Sequence, residues 1–420
     1  MGSILLLNKT FANITQNKTL SFAVSALLLV NTGLLNWSTI LMSEMSYLFF
    51  SSLGFYFTVK YFEFAQKEFW KNRYFYLAIV AAVITYYIRS VGIVLTGAFI
   101  MHSLIQKKWK LGIGFVAGYS LLYLPWIIRN NIHGIKGRYM KSIMAVNPWR
   151  PEEGQLNTVG AFIEKMYTNF YDTVLKGFVD VLFPFLKLND AGKTSIVVMG
   201  AIILLFSLWG AWRIKKYNFF LLLYLLGNML VFLVWHPGNG SRYVWPLAPF
   251  IAYAFFHGVI ELIALYPKMK RSSISKISLA ILLIGFLFIP KIKDMKKKAD
   301  YGYPPAYKNY FNLAKSVKQG GNKNLMICCR KPGMFHYFSE TFVCNYAWSP
   351  DEQKVISGMI ENKVDYVILD QLGYSSTARY LYPAIKNHGE LFKNVIHLEK
   401  PDTYLLQFNR DLANQKLNEK

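Results

Sequence analysis

The feature that most constrains this chain is an alternation of charge in step with its apolar runs. Between Leu20 and Pro290 roughly nine stretches are apolar and close to the ~17–25 residues that a membrane-crossing helix needs. The links joining them alternate between Lys/Arg-rich and nearly uncharged or mixed. Basic links stay on the cytoplasmic side of a membrane, so the alternation predicts class and orientation together. The expected fold is an α-helical polytopic membrane bundle of about nine transmembrane helices, followed by a C-terminal soluble α/β domain.

Composition enters here because a net charge of +24 could also mean nucleic-acid binding. The Lys and Arg residues do not gather into one patch. They sit in short links such as Gln66–Arg73, Lys107–Lys110, Arg213–Lys216 and Lys268–Lys276, where they suit anionic lipid headgroups. No nucleic-acid-reading module accompanies them, which excludes that partner class. Hydrophobic residues at 54% against 17% charged agree with a membrane chain.

The spans are expected at Leu20–Trp37, Ser43–Phe62, Tyr74–Ile88, Gly92–Ile105, Leu111–Ile128, Ser195–Trp212, Tyr217–Trp235, Val244–Tyr266 and Ile277–Pro290. Residues 1–19 are too short and polar to cross, and they lack the small-residue cleavage site of a signal peptide. With the N-terminus in the cytoplasm every basic link falls inside, and the odd count leaves the C-terminus outside. Lys291, Lys293 and Lys296–Lys298 are one local violation of that rule. The domains expected are residues 1–290 in the plasma (inner) membrane, with a large external loop at 129–194, and an extracytoplasmic domain at 291–420.

Four charged residues then fall on the outer face. Glu44 sits at the mouth of a span, Arg89 at a hairpin between two spans, Arg129 after Pro125-Trp126-Ile127-Ile128, and Arg242 just before Pro246 and Pro249. Each could merely reach out to its own interface. Charges at membrane depth are costly, however, and tend to pair or to bind something. Guanidinium is planar, always charged and able to grip phosphate with two parallel hydrogen bonds. The set therefore predicts an anion pocket suited to a lipid-linked phosphate.

The residues also carry a resemblance. Trp37-Ser38, Met42-Ser43-Glu44, Arg89-Ser90-Val91-Gly92, Leu124-Pro125-Trp126-Ile127-Ile128-Arg129-Asn130 and Ser241-Arg242-Tyr243-Val244-Trp245-Pro246-Leu247-Ala248-Pro249 follow one another as in membrane glycosyltransferases of GT-C architecture. More narrowly, the chain resembles bacterial relatives of the dolichyl-phosphate-mannose protein mannosyltransferases and the aminoarabinose lipid A transferase (glycosyltransferase family 39). The resemblance implies inverting transfer of a hexose or pentose from a polyprenyl-phosphate donor to a lipid, glycan or protein acceptor at the outer face, with no cofactor. It places Arg242 and Tyr243 near the donor phosphate, with Arg89 and Arg129 as further candidates. These enzymes carry a catalytic Asp in a long external loop after the first span. Here the first external link offers only Glu44, with Glu152 and Glu153 in the large loop as alternatives, and residues 1–9 read as the tail of a lost span. The expectation is thus a transferase with an incomplete site; the alternatives are a non-catalytic binder of the lipid-phosphate-sugar and a glycolipid transporter or flippase.

Two further regions have patterns of their own. Phe162, Met166, Phe170, Val174, Phe178 and Leu182 recur at helical spacing, suiting either a helix in the outer interface or one packed on the bundle. In the tail, Asn309–Lys318 and Asp351–Asn362 read as helices, Tyr380-Leu381-Tyr382-Pro383 starts another, and Asn324–Cys329, Val364–Asp370 and Thr403–Phe408 read as strands. His336 and His388 stand alone, and Cys328, Cys329 and Cys344 lack metal-site spacing. A bridge from Cys344 to Cys328 or to Cys329 is conceivable in an oxidising compartment, but adjacent strand residues face opposite ways, so only one can reach.

Overall fold

The computed structural model describes residues 1–40, 42–64, 68–134, 139–186, 192–214, 217–235, 240–265 and 272–418. Gln66, Lys67, Lys215, Lys216, Lys268, Lys270 and Arg271 of the basic links, and residues 236–239 ahead of Arg242, lie outside the described residues. The chain divides into two units, Met1–Met144 with Leu156–Lys296, and Ala145–Gln155 with Lys297–Lys420.

The first unit is helical. It opens with α1 (Gly2–Thr15), α2 (Lys18–Leu29), α3 (Thr32–Thr39) and α4 (Ser43–Glu63), then α5 (Arg73–Ile88), α6 (Ile93–Ile105), α7 (Trp109–Ile132) and the short α8 (Tyr139–Met144). After the excursion into the second unit come α9 (Val159–Asn169), a π-helical turn at Phe170–Leu175, α10 (Lys176–Leu182), α11 (Lys193–Arg213), α12 (Asn218–Val234), α13 (Ala248–Ile263), α14 (Ser272–Ile284) and α15 (Ile289–Tyr301). Asparagines set several of the starts. Asn17 caps α2 through the Leu20 amide, Asn72 caps α5 through Tyr74, and Asn31 accepts from Gly33 and Leu34 to begin α3. The core is aromatic: Phe11 stacks on Tyr253 at 4.2 Å, and Phe55 lies between Phe220 and Phe250. Helices α11 and α13 meet backbone to backbone. A Cβ on Gly210 would lie 1.9 Å from the Ala254 carbonyl oxygen, and one on Gly258 2.1 Å from that of Phe206. Small residues at such a crossing let two apolar helices pack closely where lipid offers no hydrophobic drive.

Four helices among the described residues are long and apolar enough to cross a membrane: Trp109–Ile132, Lys193–Arg213, Trp245–Ile263 and Ser275–Gln319. They mark a membrane protein. Helices α2 and α3 make a fifth candidate as a pair bent by 55°. This corrects the expectation of nine spans, and the reasons are physical. The run Leu20–Trp37 is broken where Asn31 turns its side chain to cap α3 and donates to the Val181 carbonyl. Arg73–Ile88, Ser90–Ile105 and Phe219–Val234 are shorter apolar helices of 10–17 residues. A 16-residue helix rises about 24 Å, less than the roughly 30 Å hydrocarbon core. Helix α4 has 21 residues, but its serines, tyrosines, Lys60 and terminal glutamates lower its hydropathy. The amphipathic stretch after Val159 resolves in favour of packing over its second half, where Val174, Phe178 and Leu182 are buried in the core while Val159 and Ile163 remain exposed.

The second unit is an α/β sandwich. Its sheet has the order β2-β1-β3-β5-β4, built from β1 (Met326–Cys328), β2 (Phe342–Cys344), β3 (Tyr366–Leu369), β4 (Phe392–Leu398) and β5 (Thr403–Phe408). Strands β2, β1 and β3 run parallel, and β5 and β4 antiparallel to their neighbours. Helices α16 (Pro305–Gln319) and α17 (Pro332–Ser339) cover one face with Tyr310, Leu313 and Phe335 against Ile327, Cys329, Ile368 and Leu405. On the other face α18 (Glu352–Glu361), α19 (Tyr382–Asn387) and α20 (Arg410–Asn418) bring Val355, Met359, Ala384 and Ala413 against Cys328, Val367 and Leu406. Burial on both faces explains why β1 and β3 read as unbroken apolar runs. The expected boundary at residue 291 differs from the observed one in two ways. The unit begins at Lys297, and it includes Ala145–Gln155 from the large loop, which closes on itself through an Ala145–Gln155 bridge. Within that piece Glu152 accepts from the Tyr380 hydroxyl at 2.8 and 2.9 Å, and Trp149 lies 5.7 Å from Trp348.

Candidate functional site

Two of the arginines singled out by sequence, Arg89 and Arg242, converge on the buried carboxylate of Glu44. Glu44 lies in the first turn of α4, where the helix dipole favours negative charge. Arg89 ends α5 in extended backbone, just before the 3-10 turn Ser90–Gly92, and Arg242 sits in the 3-10 turn Gly240–Tyr243. Arg89 Nη1 is 2.7 Å from Glu44 Oε1, and Arg242 Nε donates to that same oxygen at 2.5 Å. Glu44 is fully buried, and its Oε2 has no hydrogen-bond partner among the described residues. One carboxylate against two guanidinium groups leaves an excess positive charge. Removing the carboxylate would leave two like charges together without a counter-ion.

Aromatic rings frame the cluster. The Arg89 guanidinium lies 5.4 Å from the Tyr243 ring centre, and that of Arg242 lies 6.0 Å from the Trp37 ring. Trp235 Nε1 donates to the Tyr243 hydroxyl at 3.1 Å. Asn169 holds the end of α12 in place by donating to the carbonyls of Leu233 and Trp235. Beside the cluster opens a cavity of about 290 Å³ that Arg89, Tyr243, Tyr47, Asn228, Trp235 and Tyr139 share with Val231, Phe232 and other apolar side chains. A wider groove of about 550 Å³, lined by Ser43, Tyr86, Tyr87, Tyr123, Trp126 and Asn130, also reaches Arg89.

Arg129 stands apart. Its guanidinium packs 5.0 Å from the Trp126 ring and donates to Asn130, and it makes no ion pair among the described residues. Glu152 and Glu153 belong to the second unit, where Glu152 is bonded to Tyr380 and Glu153 pairs with Arg150 at 2.8 Å. One carboxylate escaped sequence reasoning. Asp180 on α10 accepts a hydrogen bond from the hydroxyl of Ser241, the residue preceding Arg242. The signal was available, because Asp180 is the lone acid in the apolar helix Lys176–Leu182. No group of three or more His, Cys, Asp or Glu side chains suited to a metal ion occurs among the described residues.

Helices and cluster together define the class: a helical membrane protein presenting guanidinium groups at the edge of a largely apolar recess. No protein-family profile matches the sequence, and no curated protein matches it. Two solved structures from Archaeoglobus fulgidus bear a distant likeness to this chain. One is the archaeal oligosaccharyltransferase AglB in complex with an inhibitory peptide and a dolichol-phosphate, at 11% identity and a TM-score of 0.45, covering 87% of this chain and 56% of that one. The other is the oligosaccharyltransferase tethered to an acceptor peptide containing the NVT sequon, at 11% identity and a TM-score of 0.47, covering 97% and 61%. This chain thus spans less than two thirds of the length of either.

Proposed function

We propose that this protein is a GT-C-like membrane glycosyltransferase that moves a sugar from a polyprenyl-phosphate-linked donor to a lipid, glycan or protein acceptor. The observation that carries the reading is the convergence of Arg89 and Arg242 on Glu44 beside an apolar cavity. A polyprenyl phosphate has the matching halves, an apolar chain and an anion for the surplus guanidinium charge. In this reading Arg242, Arg89 and Tyr243 bind the donor phosphate, and Arg129 flanks the adjoining groove. The acceptor oxygen attacks the anomeric carbon as the bond from that carbon to the phosphate oxygen breaks. The electron pair leaves with polyprenyl phosphate, whose charge the arginines neutralise without a metal or other cofactor.

In this reading Glu44 is the base that receives the acceptor proton, which requires its buried Oε2 to become accessible when donor binds. With all nine apolar runs crossing, the basic links put this cluster and the C-terminal domain on the outer side and the N-terminus in the cytoplasm. A second reading, donor binding without transfer, is favoured by one observation: Glu44 already serves as counter-ion to both arginines.

The test is binding and turnover measured separately on the full chain in detergent with a polyprenyl-phosphate-sugar. Arg242→Ala should weaken donor binding at least tenfold with expression unchanged; unchanged binding would remove Arg242 from the pocket. Glu44→Gln should lower turnover far more than donor binding. Donor binding without transfer by the unsubstituted chain would establish the second reading.

A further inference from the structure

Strands β1 and β2 pair in parallel with Met326 opposite Phe342, Ile327 opposite Val343 and Cys328 opposite Cys344. Side chains at directly paired positions leave the sheet on the same face. Cys328 and Cys344 therefore share the side packed with Val355 and Met359. Cys329, one residue on, faces the opposite side among Tyr310, Leu313 and Phe335. The two alternatives left open by the sequence are thus separated by register. Neighbouring strands lie about 4.7–4.9 Å apart, inside the roughly 4.4–6.8 Å between Cα atoms that a disulfide bridges. Strand β2 is the edge of the sheet, paired with β1 on one side only, so it can adjust to a cross-link without disturbing a second neighbour.

We propose that Cys328 and Cys344 form a cross-strand disulfide when the domain meets a disulfide-bearing oxidant, with Cys344 as the entry thiol and Cys329 remaining free. Accessibility sets the order, because Cys344 is half-buried and Cys328 fully buried. Acidity agrees. The neighbouring Cys328 thiol lowers the pKa of Cys344, while the Cys344 sulfur and burial raise that of Cys328. Cys329, beside the Tyr310 hydroxyl, is pushed up to about 12 by burial. In the first step the Cys344 thiolate attacks one sulfur of the oxidant, and the other sulfur leaves as a thiolate. Cys328 then loses its proton and attacks Cys344 Sγ, expelling the second oxidant thiol. Two cysteine thiols become one disulfide, and one oxidant disulfide becomes two thiols. The bond would tie the edge strand to the centre of the sheet across the connection that carries α17. It requires no part of the glycosyl-transfer reading, so neither result decides the other.

The test uses the full chain in detergent, reduced, exposed to oxidised glutathione, then denatured and alkylated before mass spectrometry. The expected product has lost two hydrogens and takes up one alkyl group, on Cys329. Cys329→Ser should form the same bridge with no thiol left, and Cys344→Ser should leave two alkylated thiols. Cys328→Ser should retain glutathione on Cys344, which reports the entry step even if a variant lowers stability. Three alkylated thiols in the unsubstituted chain, glutathione persisting there on Cys344, or a bridge surviving in Cys344→Ser would each overturn the proposal.

Discussion

At the scale of the residue, the informative groups are those whose charge is held away from water. Asp370, directly after β3, is 5% exposed; its Oδ1 accepts from the Leu372 amide, and its Oδ2 has no partner among the described residues. Burial pushes its carboxyl up from the ordinary 3.8 to about 6. A carboxyl whose pKa rises on folding favours the neutral form. Its contribution to stability is complete below about pH 4 and is lost as the pH rises through about 6. A rise of this size corresponds to about 3 kcal/mol as an order of magnitude. The second unit should therefore melt higher at pH 5 than at pH 7, and Asp370→Asn should flatten that difference. An unchanged pH profile in the variant would assign the dependence elsewhere. Glu340 acts in another window: its exposed pairs with Lys318 and Lys323 hold it down to about 2, so they weaken only below about pH 4.5.

At the scale of the element, one residue decides whether an apolar run becomes a straight span. Asn31 caps α3 through two backbone amides and donates to the buried Val181 carbonyl on the π-helical and α10 segment. Its replacement by Ala removes a cap worth about 1 kcal/mol and leaves a buried carbonyl unpaired at about 1–3 kcal/mol. Thermal unfolding in detergent should show a loss of several degrees, and a midpoint within one degree of the parent would refute this role. The asparagine was visible in the sequence, but its effect was not. Hydropathy sums over a window, whereas a cap acts through the direction of one side chain. The same distinction explains the tail. Strands β1, β3 and β5 were legible because sheet burial on both faces demands apolar runs. Strand β4, with its exposed Lys393, Asn394 and Val395, carries no such run, and the edge strand β2 spans only three residues.

At the scale of the whole molecule, the proposed orientation is the claim with the widest reach. It follows from basic links alternating across nine apolar runs, and so requires the bent pair α2–α3, α4 and the three shorter apolar helices to cross together with the four long ones. Reporter fusions after Lys110, Arg213 and Lys276 should then read cytoplasmic, whereas one at Lys420 should read external. A cytoplasmic reading at Lys420 would remove the extracellular acceptor from the proposed reaction. By itself the sequence determined the kind of chain this is, because apolar runs and basic links express lipid and membrane potential residue by residue. It also marked Glu44, Arg89 and Arg242, since charge near an apolar span is conspicuous in one dimension. Only the tertiary structure decided that these three meet at one oxygen while Arg129 stays with Trp126, that Asp180 joins the turn through Ser241, and that Cys344 faces Cys328. Those outcomes depend on crossing angles and strand register, which are set by contacts between residues far apart in the chain.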